Sequence, residues 1–454
     1  MPIHPSFRPA RTHAALGPEF FDVVAPARFP RHTLRHRDLR QAERLGLDGL
    51  TEAEWIAHFG RFEALPGSFE QPLALRYHGH QFRHYNPDLG DGRGFLFGQM
   101  QDPQDGRLLD FGTKGSGQTP WSRTADGRLT LKGGIREILA TTMLEALGVE
   151  TSKSFSLIET GEDLRRNDEP SPTRSAVLVR LSHSHIRIGT FQRLAYLGDE
   201  ASLRTLLAHA VTHYLPEAAH ENEPERAARF FAAVCRRVAR MGAQWMAAGF
   251  VHGVLNTDNI NITGESFDYG PWRFLPTYDP EFTAAYFDYG GLYAFGRQPE
   301  ALAWNLTRLG GCLLPLAGDT DLKARLEASL QGFGDLMQAE FARCVLWRLG
   351  VKPIEPERDA ALATRFFARL LESKTPFEQA FFEARSGRAD LTGYERILPD
   401  HPYFAGTAPV TLLIEEVEAL WAPIAEADDW RPFQAKLAAI ETVRLAYNRA
   451  ASVT

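Results

Sequence analysis

The sequence predicts an α+β fold in two lobes, a β-rich one followed by a mostly helical one. Three observations predict it. Between Tyr77 and Phe191 the chain is rich in glycine and in short apolar runs suited to strands: "GFLFGQM", "RLLDFGT", "SFSLIE" and "SAVLVRLS". One helical period interrupts them, in "GIREILATTMLEALG", where Ile135, Leu139, Met143 and Leu147 share a face and Gly148 closes the helix. After residue 200 helical periodicity dominates "ASLRTLLAHAVTHYL", "PERAARFFAAVCRRVARMGAQWMAAG", "QPEALAWNLTRLGGCLLPLA" and most of 319–450.

Taken in order, residues 1–70 alternate Pro-rich loops with short helical patches such as "LTEAEWIAHF", and read as an N-terminal extension packing on the lobes. Residues 71–197 form the β-rich lobe and 198–454 the helical lobe. Within the latter, 249–296 is an island rich in Gly, Asp, Tyr and Asn. Strands, then helices, with one polar loop island inside the helices, is the layout of a protein-kinase-like fold.

Composition narrows the function classes. A chain of 454 residues with 44% hydrophobic and 24% charged residues has ample material for a buried core. The formal net charge of -7 argues against nucleic acid as a partner. No apolar run is long enough to span a membrane. Cys235, Cys312 and Cys344 are scattered through apolar, helix-like stretches, as buried thiols in a reducing compartment would be. The residues before Glu19 carry arginine and no acid, a trait of mitochondrial presequences. Arginine outnumbers lysine throughout, 43 to 7, which accounts for that trait, and a cytoplasmic bacterial monomer is expected.

Four constellations carry chemistry. In "GFVHGVLNTDNINI" His252 is followed seven residues later by Asn259, as in the kinase pattern H-R-D-L-x-x-x-N. Val254 stands where that pattern has its catalytic Asp, and the acid is Asp258, beside the Asn. Asp268-Tyr269-Gly270 follows nine residues after Asn259, in the order kinases use to hold magnesium on a nucleotide. A polar surface turn is the plainer reading of this stretch, and Asp288-Tyr289-Gly290 is a second, more distant candidate. In "LGDGRGFLFGQ", Gly90, Gly92 and Gly94 alternate around Arg93 and would let a backbone approach phosphates; taken alone, a tight hairpin turn is the favoured reading. In "FGTKGSGQTPWSRTADGR", Lys114 leaves a strand-like run in the manner of a kinase β3 lysine, and Glu137 on the next helix is placed to pair with it. The alternative is a surface Lys and a helix-N-terminal Glu. In "SAVLVRLSHSHIRIGTF", Arg180 and Arg187 lie seven apart, on opposite faces of a continuous strand, and converge only if the chain bends between them. The histidines here and at His78, His80 and His84 lack a Cys or carboxylate at metal spacing, so zinc is not expected.

Together these stretches resemble the selenoprotein O family. Its "GHQF…LGDGR", "KGxGxTPxSRxxDGR", "IRE", "SHIRxGTF", "HGVxNTDN" and "DYGP" segments all occur in order across residues 77–272, with weaker patches ("LGLD", "YAFGRQPE", "WNL") on either side. The resemblance implies a kinase-like protein that binds ATP in a flipped orientation and transfers AMP to protein Ser, Thr or Tyr hydroxyls. By motif it implies a Lys114–Glu137 ion pair. Lys114, Arg180 and Arg187 would hold phosphates, and Gly90, Gly92, Arg93, Asp126 and Gly127 would complete the nucleotide site. Asn259 and Asp268 would bind Mg2+ (or Mn2+), Asp268 thereby also reaching the nucleotide, and Asp258 would be the base, an ordinary carboxylate without a large pKa shift. Three departures stand out. Arg83 occupies a family Gly place, and "KGGIRE" replaces "RSSIRE", putting Gly133 and Gly134 at the helix start. The last residues, "RLAYNRAASVT", hold neither the "NPxxVLRNYLAQ"-like segment nor the terminal Cys or selenocysteine of many members, so redox control through that residue is not expected. A phosphotransferase and a non-catalytic nucleotide-binding scaffold are the rival readings.

Overall fold

A nine-stranded antiparallel sheet organises the chain, as seen in a computed structural model that describes residues 3–448 apart from 168, 319, 320 and 398. The fold class is therefore α+β. The first elements are strands β1 (Arg8–Ala10), β2 (Phe21–Val23) and β3 (Thr33–Arg37), then helices α1 (Leu39–Leu45) and α2 (Glu52–Phe59). Next come β4 (Leu73–Leu75) and a hairpin of β5 (Gly79–Gln81) and β6 (His84–Asn86). Strands β7 (Leu96–Gln101), β8 (Leu108–Lys114) and β9 (Leu129–Thr130) lead into helix α3 (Leu131–Ala146), followed by β10 (Lys153–Leu164) and β11 (Thr173–Ser182). The path across the sheet is β2-β4-β7-β8-β11-β10-β3, with β1 on β7 and β9 on β11. The segment before residue 70 is thus more than an extension: it supplies three strands.

Alternation along β8 and β11 decides what each face does. Leu109 and Phe111 on β8, with Val177, Val179 and Leu181 on β11, bury themselves under Trp55 and Phe59 of α2. The opposite face carries Lys114 and Arg180. Leu178 pairs with Lys114 and Arg180 with Gly112, so the lysine and arginine project to the same side, towards α3. Helix α3 starts on a Thr130 side-chain cap and buries Ile135, Leu139 and Met143, as its spacing predicts.

The helical half begins with α4 (Ile188–Leu197) and α5 (Glu200–His213) and centres on the 26-residue α6 (Glu223–Ala248). A short strand pair, β12 (Phe250–Val251) with β13 (Arg273–Phe274), encloses the polar loop island. Helices α7 (Gln298–Leu313), α8 (Leu322–Gln331), α9 (Phe333–Leu349), α10 (Pro356–Ser373) and α11 (Phe377–Arg385) complete that half. The last two helices, α12 (Ile414–Ala427) and α13 (Arg431–Asn448), return to α3 beside the sheet. Arg174 of β11 grips this return, bonding the Ile424 carbonyl and pairing with Asp428 at 2.7 Å.

Two departures from the family pattern acquire a physical meaning. Phe82 and Arg83 form the β5–β6 turn with φ of 47° and 66°, the left-handed region that favours Gly or Asn. Arg83 is held there by Glu300 at 2.8 Å and by the face of Trp304, so it reaches α7 rather than a nucleotide. A Cβ on Gly134 would lie 2.4 Å from Leu157 Cδ1, so the smaller residue lets α3 sit close on β10. Gly94 is under a sharper constraint, since its Cβ would lie 2.0 Å from the Thr113 carbonyl oxygen. Gly94→Ala is expected to cost roughly 3 kcal/mol or more, because the clash is with backbone. Thermal unfolding of the variant checks this.

Candidate active site

Lys114 ends β8 with its side chain only 4% exposed, and Glu137, 1% exposed, meets it from α3 in a close ion pair. Lys114 Nζ also bonds Asp268 Oδ1 at 2.9 Å. Arg180 Nη1 reaches the same oxygen at 3.1 Å. Burial pushes the Asp268 carboxyl up, but Lys114, Arg180, Arg187 and Arg93 outweigh it and hold the group well below the usual carboxylate range. Its backbone has φ of 62°, a strained conformation for an aspartate and one found disproportionately at functional sites.

The bend between Arg180 and Arg187 is present. Strand β11 stops at Ser182, and Arg187 becomes the residue before α4. Ile186 and Ile188 exchange backbone hydrogen bonds with Ile262 and Ile260, which ties Arg187 to the polar loop. Its guanidinium donates to the Asp258 carbonyl at 3.2 Å and to Asp91 Oδ1 at 3.1 Å, with Tyr77 and Phe267 ring centroids 4.2 and 5.2 Å away. Two arginines with opposite strand parity therefore converge, both over Phe267.

The loop carrying Asp258 and Asn259 is a short turn clamped from outside. Hairpin β5–β6 donates the His80 N–H to Thr257 Oγ1 at 2.7 Å and the Phe82 N–H to Asn256 Oδ1 at 3.0 Å. Asn259 Nδ2 donates to the Val254 carbonyl at 3.0 Å, and no hydrogen bond engages its Oδ1 among the described residues. His252, fully buried, bonds the Phe267 carbonyl through Nε2 and braces the Asp268 segment. Asp258 departs from the expectation of an ordinary carboxylate. Burial raises its pKa to about 6, Arg187 opposing only in part. Its Oδ1 is buried without a hydrogen-bond partner among the described residues, and a Cβ on Gly79 would lie 3.0 Å from it.

The remaining predicted residues divide. Gly90 and Gly92 take no left-handed conformation. Their missing side chains accommodate Trp121, which a Cβ would approach to 2.4 and 2.9 Å. Arg93 is exposed on the wall of a cavity of about 500 Å3 that Lys114 and Glu137 also line. Asp126 is outside the Lys114 cluster. It pairs with Arg166 at 2.8 Å, and Arg166 lines the cavity rim. Gly127 needs its φ of 70°, and a Cβ there would strike Gly117. Asp288 accepts the N–H groups of Leu292 and Tyr293 and caps a turn, so the first Asp-Tyr-Gly is the one in the cluster. His78 and His80 are engaged by Tyr85 and Gln192. Sequence reasoning missed Asp91, Tyr77 and Phe267. Asp91 was visible inside "LGDGR", but nothing local says that it meets Arg187.

The family profile described as protein adenylyltransferase SelO matches residues 6–396. The chain belongs to the SelO family. SelO-family relatives named protein nucleotidyltransferase YdiU are similar over nearly their whole length. The one from Synechocystis is 44% identical over 92% of this chain and 94% of its own. The one from Gloeobacter violaceus is 45% identical over 92% of each. The one from Rhodopseudomonas palustris is 38% identical over 88% of this chain and 80% of its own. The SelO-family match covers the Lys114, Arg180, Arg187, Asp258 and Asp268 cluster and stops before α12.

The ion pair that positions Lys114 gives a direct prediction. Glu137→Gln is expected to reduce nucleotidyl transfer at least about tenfold, since the freed lysine binds Asp268 alone and loses its fixed direction. Steady-state kinetics at saturating ATP, with a melting curve to exclude unfolding, measure it.

Proposed function

We propose that this chain is a protein adenylyltransferase, transferring AMP from ATP to Ser, Thr or Tyr hydroxyls of proteins and releasing pyrophosphate, on a kinase-like frame with ATP reversed. The observation that carries this is the convergence of Lys114, Arg180 and Arg187 on Asp268, with both arginines buried. A terminal phosphoryl transfer needs less buried positive charge than a departing pyrophosphate does. With the pyrophosphate directed at the arginines, the nucleoside lies towards the open side, near Arg93, Asp126 and Gly127, with the Gly90–Gly92 loop above it.

Asn259 Oδ1 and Asp268 supply two oxygen donors, and among the described residues no cluster of three His, Cys, Asp or Glu forms a closed metal cage. That donor set suits Mg2+ or Mn2+, which take their remaining ligands from phosphates and water. Such an ion would neutralise charge on the leaving group. The protein's own share of the reaction runs through Asp258. Its unpartnered Oδ1 accepts the hydroxyl proton as the acceptor oxygen bonds the α-phosphorus and the bond to the β-phosphate oxygen breaks. Lys114, Arg180 and Arg187 hold the pyrophosphate as it separates. A coupled pyrophosphatase assay tests this: phosphate must appear only when pyrophosphatase, a divalent ion and an acceptor protein are all present. Phosphate without pyrophosphatase would indicate hydrolysis, and ADP formed without free phosphate would indicate a phosphotransferase.

A further inference from the structure

Positive charge on the cavity wall exceeds what the triphosphate uses. The wall carries seven basic side chains and three acidic ones. Several are already matched: Lys132 with Glu418 at 2.7 Å, Arg128 with Glu162 at 2.9 Å and Arg166 with Asp126. Arg136 and Arg273 are not. Arg136 lies over the Trp272 ring at 5.1 Å, and its guanidinium has no hydrogen bond or ion pair among the described residues. Among the described residues the Arg273 guanidinium donates only to the Trp272 carbonyl, at 2.9 Å. Burial lowers both, and the neighbouring Arg273 adds to it on Arg136, which falls to about 10; Glu418 pulls the other way on each, with Glu169 on Arg136 and Glu415 on Arg273. Two half-buried arginines lining one space, neither in an ion pair among the described residues, are stabilised by an added anion. Across the cavity stand Tyr286, 76% exposed, and Phe287, 40% exposed, large apolar groups left uncovered beside the site.

We propose that Arg136 and Arg273 form an anion subsite that holds an acidic side chain of the protein acceptor, with Tyr286 and Phe287 covering the apolar part of the same segment. The cavity shares Lys114 and Glu137 with the reaction centre, so an acceptor bound there lies alongside the nucleotide. Calling the anion's carrier an acceptor rests on the adenylyltransferase reading; the subsite itself rests on charge and geometry.

The test reads binding without transfer, so the two readings can fail separately. Two fluorescein-labelled peptides share one central serine, flanked by glutamates in one and glutamines in the other. They are titrated into the full chain loaded with Mg2+ and a non-hydrolysable ATP analogue, at fixed ionic strength. The glutamate peptide is expected to bind at least about tenfold tighter, the worth of one charged hydrogen-bond pair. The double variant R136Q/R273Q is expected to abolish that preference, with analogue affinity within about twofold of the wild type by the same reasoning. On the wild type, sodium phosphate should displace the glutamate peptide, whereas chloride of equal ionic strength should not. Equal binding of the peptides, no binding of either, or no displacement by phosphate would overturn the subsite. Equal loss of analogue and peptide affinity in the variant would assign the arginines to the nucleotide instead.

Discussion

Asp268→Ala is expected to lower nucleotidyl transfer by roughly a thousandfold or more. The carboxylate serves two purposes at once. In the proposed reaction it is an oxygen donor to the divalent ion, and it is the anchor on which Lys114 and Arg180 meet, at 2.9 and 3.1 Å. Removing it leaves buried cations without their counter-charge, which costs about 3 kcal/mol or more in a dry site. Part of the loss in the alanine variant would therefore be structural. Asp268→Asn separates the effects: it keeps the shape and one oxygen, and is expected to fold while still losing at least about a hundredfold in rate. Calorimetric titration with ATP should show weakened, metal-insensitive binding in both variants.

Asp258→Asn is expected to do the opposite to stability and nearly the same to rate. Turnover should fall by about 10^2- to 10^4-fold, the usual contribution of a positioned base, while ATP affinity is retained. The folded protein should become more stable at pH 8, by about 1–3 kcal/mol, since the variant no longer holds an unpartnered carboxylate in a buried place. The sign follows from the raised pKa. The folded state binds the proton more tightly than the unfolded chain, so this group's stabilisation is complete below the ordinary value of 3.8 and is lost as pH rises through about 6. The amide in the variant does not titrate, so the gap between variant and wild type should widen over that window. In the wild type, transfer itself should rise through about pH 6 as Asp258 becomes a competent base. Denaturant melts at pH 5 and pH 8 and a pH–rate profile measure both. If ATP affinity collapses in the variant, Asp258 belongs with the metal donors.

The sequence made the strands, α3 and the long α6 legible because their apolar periods are local. The Lys114–Glu137 ion pair was legible too, from a strand-like run and the helix that follows it. Convergence was harder. Arg180 and Arg187 meet because the chain turns from β11 into α4, and the "SHSH" stretch only hinted at that turn. Asp91, Tyr77 and Phe267 contact Arg187 from three distant segments, which no local pattern records. The same holds for the pKa of Asp258: a carboxylate looks ordinary in a sequence, and only the packing of Gly79 and Arg187 around it shows that it is desolvated. That the glycines of "LGDGR" make room for Trp121 is a contact between separate segments that their spacing does not show. Arg83 and Gly134 stand out in the sequence as departures from the family pattern, and only the packing shows that one reaches α7 and the other lets α3 close on β10.

Parallel reactions with ATP labelled at the α- or the γ-phosphorus test the central claim most directly. The full chain is incubated with Mg2+ and a mixture of acceptor proteins, and protein-bound label is read after denaturing electrophoresis. AMP transfer requires the α-label on protein and none from the γ-label, with the signal lost in Asp268→Ala. Retention of the γ-label on protein would make the chain a phosphotransferase. Retention of neither, despite ATP-dependent thermal stabilisation, would make it a nucleotide-binding scaffold.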